Sequence, residues 1–144
     1  MYLLDTNVVS ELRKVRAGKA HPGVAEWATS TPAAQLFLSA ITLHELEHGV
    51  LLAERSDPRK GALLRVWLDT SVASAFADRV LPIDEAIARR AARLHVPDPA
   101  PFRDALIGAT ALEHRLIVVT RNIKDFAGRD VTLLDPFKAA RQGA

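Results

Sequence analysis

The sequence predicts an α/β domain in which helices cover a parallel β-sheet. Short apolar segments alternate with segments in which apolar residues recur at helical spacing. This alternation is typical of βαβ units, in which a helix connects two parallel strands. Three of the apolar segments stop abruptly, at Asp5, Thr42 and Thr120. A chain of 144 residues has the length of one domain, so we expect a single domain over residues 1–144.

Five segments are predicted to form the strands of this sheet. They comprise residues 2–4, 36–41, 80–82, 116–119 and 131–134. The fourth segment is rich in β-branched residues, which favour strands. The third and fifth segments are short, and Pro82 has no N–H to donate to a neighbouring strand. We therefore expect these two strands to lie near the edges of the sheet.

Capping residues mark the starts of the predicted helices. Thr42 and Glu45 have the Thr-x-x-Glu spacing of a capping box, which would start a helix at Thr42. Asp57, which precedes a proline, and Asp84, which precedes an alanine-rich segment, are the expected caps of two further helices. Another helix is predicted over residues 102–114, after a proline-rich loop.

Composition restricts the functions that this chain can have. The absence of cysteine excludes disulfides, thiolate nucleophiles and cysteine-ligated zinc, and it agrees with a reducing cytosol. The first residues lack the pattern of a signal peptide, and no apolar run approaches the roughly 18–20 residues of a membrane span. We therefore expect a soluble, cytoplasmic protein. The net charge of +2 leans only mildly towards polyanionic partners.

Four acidic residues are candidates for one site at the sheet. Asp5 directly follows the first predicted strand, and Glu45 lies one turn into the helix after the second. Asp125 follows the strand that ends at Val119, and Asp104 begins the helix that leads into that strand. Ligands of open parallel sheets bind outside the carboxyl ends of the strands. We therefore expect these carboxylates to converge there, although the pattern alone does not define the distance of Asp104 from the others.

Carboxylates that converge in this way require a positive counter-charge. Two ionised carboxylates about 4 Å apart repel by roughly 4 kcal/mol at an effective dielectric constant of about 20. A hard divalent cation offsets this repulsion, and Mg²⁺ typically uses one or two carboxylates together with waters and substrate phosphate. Since the chain has no thiolate, Mg²⁺ or Mn²⁺ is the expected ion. Such an ion could activate water for attack on a phosphodiester.

Each of these acids also has a purely structural explanation. Asp5 could cap a turn or a helix, Glu45 could complete the capping box, and Asp104 could complement a helix dipole. Asp125 could cap a short helix that begins at Phe126. None of the four residues identifies a catalytic site by itself.

The sequence blocks around these acids carry a stronger signal when they are taken together. They are LLDTNVVSE at residues 3–11, LSAITLHELEHG at 38–49, DALIGATA at 104–111 and VTRNIKDF at 119–126. In this order, the blocks resemble the motifs of the PIN-domain family, and specifically of its VapC-type toxins from bacterial toxin-antitoxin pairs. The resemblance extends from near residue 1 to residue 126.

This resemblance implies a fold, an activity and a set of partners. The fold is a three-layer α/β/α PIN-like nuclease domain around a parallel sheet of about five strands. The activity is that of an endoribonuclease that hydrolyses RNA with Mg²⁺, or with Mn²⁺ as a substitute. The partners are the RNA substrate, a second copy of the chain in a homodimer, and a small cognate antitoxin of the VapB type in a hetero-oligomer.

The resemblance also assigns roles to individual residues. Asp5 and Asp104 would bind the metal ion directly, and Glu45 would lie beside them or act through water. Asn7 and Thr120 would support the site.

One departure from the family pattern concerns the fourth acid, whose usual position is held here by Asn122. The fourth charge is therefore either lost or supplied by Asp125. This departure leaves open a PIN-like binding module that has lost catalysis, although Asp5, Glu45 and Asp104 argue against it.

Residues 44–48 also spell H-E-x-x-H, in which histidines at i and i+4 bind zinc and the glutamate activates water. A zinc peptidase that uses His44, Glu45 and His48 is therefore an alternative. It leaves Asp5 unexplained, and the extended metzincin pattern is absent after His48. A phosphatase of the haloacid-dehalogenase type would need an acid where Asn7 stands.

Overall fold

A five-stranded parallel sheet forms the centre of the computed structural model, which describes residues 1–139. The strands are β1 (Tyr2–Leu4), β2 (Leu36–Ser39), β3 (Val80–Leu81), β4 (Ile117–Val119) and β5 (Leu133–Leu134). Their order across the sheet is β3-β2-β1-β4-β5, and every neighbouring pair is parallel. The predicted α/β class is confirmed, and the two shortest strands lie at the edges as expected.

Helices connect the strands and cover both faces of the sheet. They are α1 (Thr6–Leu12), α2 (Pro22–Ser30), α3 (Ala40–Ser56), α4 (Pro58–Val66), α5 (Ala73–Ala75), α6 (Glu85–Arg93), α7 (Phe102–His114), α8 (Ile123–Phe126) and α9 (Pro136–Ala139). A 3₁₀ turn precedes β2 at Ala33–Gln35, and a π-helical turn at Trp67–Val72 joins α4 to α5. Within residues 1–139, no helix is both long and apolar enough to cross a membrane.

The boundary between β2 and α3 differs from the prediction. A strand that continues to residue 41 and a capping box that starts a helix at Thr42 are both wrong. β2 ends at Ser39, whose hydroxyl oxygen accepts a hydrogen bond from the Ile41 N–H at 3.2 Å and caps α3. Ser39 is as good a cap as threonine and occurs earlier in the chain, so the helix begins there. Thr42 lies buried inside α3.

Other predicted helix boundaries are confirmed. The Asp57 carboxylate accepts a hydrogen bond from the Lys60 N–H at 3.3 Å and caps α4. The Asp84 carboxylate accepts one from the Ile87 N–H at 2.9 Å and caps α6. Helix α7 has the limits that the pattern predicts.

Alternate residues of the central strands face two separate hydrophobic cores, because successive side chains of a strand point to opposite faces. Leu4 and Val119 pack in one core with α1, α2 and α3. Leu3 and Val118 pack in the other with α7 and α8. Helix α6 then packs on α7 through the apolar residues Ile87, Ala91, Ala105 and Ala109. The result is the three-layer α/β/α arrangement that the resemblance implies.

The central pair of strands positions the first two polar residues of the candidate site. β1 pairs with β4, and the pairing continues beyond Leu4 because the Asp5 N–H donates to the Val119 carbonyl at 2.9 Å. Asp5 and Thr120 therefore lie side by side at the carboxyl edge of the sheet, which is the edge predicted for ligand binding.

Candidate active site

Asp5 lies at the centre of a polar cluster at this edge, and it is fully buried. Its Oδ1 atom accepts a hydrogen bond from the Thr6 N–H at 2.8 Å. Its Oδ2 atom accepts one from the Thr120 hydroxyl at 2.7 Å and one from the Asn7 amide at 3.4 Å. Asp5 also occupies the N-cap of α1, so the capping explanation and a functional role coexist. Donors on both oxygens hold this carboxylate in one orientation.

Asn7 and Thr120, to which the resemblance assigns supporting roles, belong to the same network. The Asn7 amide donates to the Thr120 hydroxyl at 3.3 Å, and its carbonyl oxygen accepts from the Arg121 N–H at 3.2 Å. The Thr120 hydroxyl also accepts from the Asn122 N–H at 3.0 Å. Asn122 contributes to the cluster through its backbone and is exposed. The loop after β4 is thereby tied to the start of α1.

Glu45 reaches this cluster from α3. Its Oε1 atom accepts a hydrogen bond from the Thr6 hydroxyl at 2.8 Å. The same Thr6 donates its N–H to Asp5, so one residue links the two carboxylates. Since Ser39 caps α3, the capping-box explanation of Glu45 is wrong, and its carboxylate is free for this contact across the site.

Asp104 enters from the first turn of α7 and is only 3% exposed. Its Oδ1 atom accepts a hydrogen bond from Arg103 at 3.0 Å, and the same guanidinium also donates to Glu45. Burial raises the pKa of the Asp104 carboxyl, Arg103 opposes this shift, and the negative charges of Asp5 and Asp125 add to it. The elevated pKa therefore reflects a buried carboxylate among other carboxylates.

Asp125 lies close enough to Asp104 for its charge to affect the pKa of that residue. It is part of α8, where its N–H donates to the Asn122 carbonyl at 3.1 Å. It does not cap a helix that begins at Phe126, because α8 starts at Ile123. Asp125 thus lies at the periphery of the cluster, whereas Glu45 is linked to Asp5 through Thr6 and to Asp104 through Arg103.

Two residues of this cluster, Thr6 and Arg103, are not among the site residues predicted from the sequence. Thr6 stands between Asp5 and Asn7 in the chain, and its hydroxyl could have been recognised as a polar group at a strand end. Arg103 immediately precedes Asp104, but sequence adjacency does not predict that its guanidinium reaches Glu45, which is 58 positions away. Only the packing of α7 beside α3 produces that contact.

The chemistry of the carboxylates fits a hard divalent cation. Within residues 1–139, no group of three His, Cys, Asp or Glu side chains is arranged to enclose a metal ion directly. Mg²⁺ does not need such a cage, because it commonly binds through one or two carboxylates and completes its shell with water and phosphate. Asp5 and Asp104 offer two buried carboxylates whose mutual repulsion a cation would relieve.

The two histidines of the H-E-x-x-H pattern lie outside this cluster. His44 and His48 are exposed on α3, with ring centroids 6.4 Å apart. Among the residues that the structure describes, no third His, Cys, Asp or Glu joins them in a group that could hold a metal ion. Glu45 instead hydrogen-bonds to Thr6 and Arg103, on the side of the carboxylate cluster.

Comparisons with known proteins agree with this arrangement. The family described as PIN domain matches residues 2–130. Toxin FitB from Neisseria gonorrhoeae is 36% identical to this chain, over 95% of this chain and 99% of the FitB sequence. In the crystal structure of FitAcB from the same organism, a chain superposes with a TM-score of 0.86 at 34% identity, over 95% of this chain and 99% of that chain. The VapC ribonuclease Y4jK from Sinorhizobium fredii is 33% identical over 97% of this chain and 100% of its own. A toxin-antitoxin complex from Klebsiella pneumoniae has a similar chain, with a TM-score of 0.68 and 29% identity over 94% and 98% of the two chains.

Proposed function

Because the chain belongs to the PIN-domain family, we propose that it is a metal-dependent endoribonuclease and the toxin of a toxin-antitoxin pair. The proposal of ribonuclease activity is supported by full-length similarity to a VapC ribonuclease, and that of a toxin by full-length similarity to FitB. In this proposal the chain is a single nuclease domain that hydrolyses phosphodiester bonds in RNA.

The observation that carries the proposal is the meeting of Asp5, Glu45 and Asp104 at the carboxyl edge of the sheet. Asp5 directly follows β1, Glu45 lies in α3 and Asp104 lies in α7, and contacts through Thr6 and Arg103 connect them in one cluster. Two of the three are almost completely buried, which is costly for carboxylates unless a cation or hydrogen bonds compensate. A structural role alone does not require three such side chains in one place.

In the proposed mechanism, Asp5 and Asp104 would hold Mg²⁺ or Mn²⁺. A divalent ion at this position would supply positive charge to the scissile phosphate and lower the pKa of an attacking water. The Thr6 N–H and the Thr120 hydroxyl hold the Asp5 carboxylate in place. Glu45 is less buried than the two aspartates, and in this proposal it would orient the water and accept its proton at a carboxylate oxygen.

Asp125 supplies the fourth negative charge in this proposal, because Asn122 has none. The supporting observation is electrostatic: the charge of Asp125 contributes to the raised pKa of Asp104. Replacing Asp125 by asparagine should therefore weaken Mn²⁺ binding. Unchanged metal dependence in that variant would show that Asp125 does not contribute to the site, which would then have only three acids.

The proposed partners are an antitoxin of the VapB type and a second copy of the chain, all in the cytoplasm. A ribonuclease that is active in its own cell needs a neutralising partner, and the similar chain from Klebsiella pneumoniae is part of a toxin-antitoxin complex. Helices α3 and α4 present large exposed apolar side chains that a protein partner could cover. These are Leu51, Leu52, Leu63 and Val66.

The proposal is tested by RNA cleavage with the purified chain, freed from any antitoxin. We expect cleavage with Mg²⁺ or Mn²⁺ and none with EDTA, and we expect Asp5→Asn and Asp104→Asn to abolish it because each removes a ligand charge. Asp98→Asn is the matched control, since Asp98 is exposed in the loop before α7. Circular dichroism establishes that each variant is folded.

Two other results would favour the alternative functions. Peptide hydrolysis that needs zinc and survives Asp5→Asn would identify a zinc peptidase based on His44 and His48. Antitoxin binding without any RNA cleavage under these conditions would identify a catalytically silent PIN-like module.

A further inference from the structure

Arg103 brings a positive charge into contact with two carboxylates of the cluster. It precedes Asp104 in the first turn of α7. Its guanidinium donates one hydrogen bond to Asp104 Oδ1 at 3.0 Å and another to Glu45 Oε2. Burial lowers the pKa of Arg103, but the hydrogen bonds to Glu45 and Asp104 and their negative charges raise it by more, so that it lies above its ordinary value. The side chain therefore carries a permanent charge between two of the proposed catalytic acids.

This geometry gives the guanidinium the same electrostatic task as a metal ion. It offsets the repulsion between the carboxylates, and the N–H groups of its planar guanidinium donate to an oxygen of each acid at the same time. An oxygen that accepts a hydrogen bond from Arg103 offers its lone pairs less freely to a second cation. Two positive charges also repel each other at such short range.

Release of Arg103 from this position is physically feasible. Its side chain is 36% exposed, whereas that of Asp104 is only 2% exposed. The guanidinium can therefore move into solvent, while the carboxylate that it contacts remains in the site. The hydrogen bonds to Thr6 do not involve Arg103, so Asp5 and Glu45 remain connected when it leaves.

We propose that Arg103 is an internal counter-ion that competes with the divalent metal for Asp104 and Glu45. It holds the acidic cluster together when metal is absent, and it must be displaced before Asp104 can bind the ion fully. Arg103 thereby lowers the metal affinity of the site. This inference rests on the proposed function, because it requires that Asp104 binds metal.

The test measures Mn²⁺ binding to the full, antitoxin-free chain by isothermal titration calorimetry, without any measurement of catalysis. Arg103→Gln removes the charge and keeps a polar side chain. We expect it to bind Mn²⁺ about threefold to tenfold more tightly than the wild type, as for the loss of a partly exposed, doubly hydrogen-bonded ion pair. Without metal, the same variant should melt at a lower temperature, because the carboxylates lose their counter-charge.

Arg121→Gln is the matched control for a general effect of positive charge. Arg121 follows Thr120 at the edge of the site, but its guanidinium stacks 4.7 Å from the centroid of the Phe137 ring. We expect this variant to bind Mn²⁺ with nearly wild-type affinity. Equal tightening by Arg121→Gln and Arg103→Gln would overturn the inference, because it would show an effect of net charge. Unchanged or weaker binding by Arg103→Gln would overturn it as well.

Asp104→Asn separates this inference from the proposed function. If the proposed metal site is right, this variant loses Mn²⁺ binding. If it binds Mn²⁺ as the wild type does, the proposed site is wrong and the inference falls with it. Loss of binding in Asp104→Asn together with unchanged binding in Arg103→Gln refutes only the role of Arg103.

Discussion

A single hydroxyl group, that of Thr120, joins the start of α1 to the loop after β4 in the candidate site. It donates to Asp5 and accepts from the Asn7 amide and the Asn122 backbone. Thr120 is fully buried at the end of β4, where the sheet determines its position. Groups that orient a metal-binding carboxylate in this way commonly affect metal affinity as much as activity. We therefore expect Thr120 to be a positioning residue that is sensitive to small changes.

Thr120→Val preserves the shape of the side chain and removes the hydroxyl. We expect the rate of RNA cleavage and the affinity for Mn²⁺ to fall by about 10–100-fold. The free energy of unfolding should decrease by about 1–2 kcal/mol, because polar groups at the site lose a buried partner. Thr120→Ser keeps the hydroxyl and should retain most of both properties. Equal loss in the two variants would show that the hydroxyl alone does not maintain these properties, and it would contradict this role.

The raised pKa of Asp104 makes the stability of the metal-free protein depend on pH. The folded state keeps the Asp104 proton at pH values at which the unfolded chain has released it. Stability must therefore decrease as the pH rises from the ordinary value of 3.8 through the higher pKa of the folded state. Above that pKa the loss is complete and constant.

Asp104→Asn removes this ionisation, so the variant should not show this decrease in stability with rising pH. With EDTA present, we expect the variant to become more stable than the wild type as the pH rises above 3.8, with a difference that then levels off. Urea unfolding at a series of pH values measures the difference. A difference that stays constant with pH, or that decreases as the pH rises, would show that the Asp104 carboxyl is not destabilised in the folded protein.

At the scale of elements, α3 and α4 approach each other closely enough to exclude a side chain at Gly61. A Cβ atom there would lie 2.4 Å from Glu54 Cα and 2.6 Å from the Glu54 backbone nitrogen. Arg65 of α4 adds salt bridges to Glu47 and Glu54 of α3, at 2.6 and 3.1 Å. Since α3 carries Glu45, this contact helps to hold one acid of the site in place.

Gly61→Ala and Gly49→Ala form a matched pair that tests this close approach. We expect Gly61→Ala to destabilise the protein by about 1–3 kcal/mol, because backbone atoms must separate to admit the methyl group. Gly49 lies on α3, where a Cβ atom meets nothing within 4 Å. Gly49→Ala should therefore stabilise the protein by about 0.5–1 kcal/mol through helix propensity. Chemical denaturation followed by circular dichroism checks both values, and equal effects of the two substitutions would contradict the packing of α4 on α3.

At the scale of the whole molecule, the candidate site exists only when the chain is folded. Its acids come from the end of β1 and from α3, α7 and α8, and the Asp5–Thr120 hydrogen bond joins residues 115 positions apart. An unfolded chain does not bring these carboxylates together. A metal that binds the site should therefore bind the folded state and stabilise it by mass action.

Mn²⁺ at about 100 times its dissociation constant should add roughly 2.7 kcal/mol to the free energy of unfolding. Asp5→Asn should abolish this gain, whereas Asp98→Asn should retain it, because Asp98 lies in an exposed loop. Thermal melting with and without Mn²⁺ measures the effect. A gain that persists in Asp5→Asn would place the stabilising ion elsewhere.

Much of the architecture could be predicted from the sequence. Apolar periodicity predicts the parallel sheet and its short edge strands, and Asp57, Asp84 and the limits of α7 follow from local capping and helical spacing. These features depend on short segments, whose conformational preferences are local. The position of Asp5 at a strand end could be predicted equally well, because the strand pattern stops there. The start of α3 could not be predicted in this way, because Ser39 and Thr42 both satisfy the local rules for a cap.

The sequence by itself therefore determined the α/β class, the order of the main elements and the acids that are candidates for the site. Only the tertiary structure decided how those acids are held: Glu45 through Thr6, Asp5 through Thr120, and Asp104 through Arg103. The physical reason is that these contacts join residues far apart in the chain or depend on how helices pack. Local preferences act within a few residues, whereas the relative placement of α3 and α7 is set by burial of the two cores against the sheet.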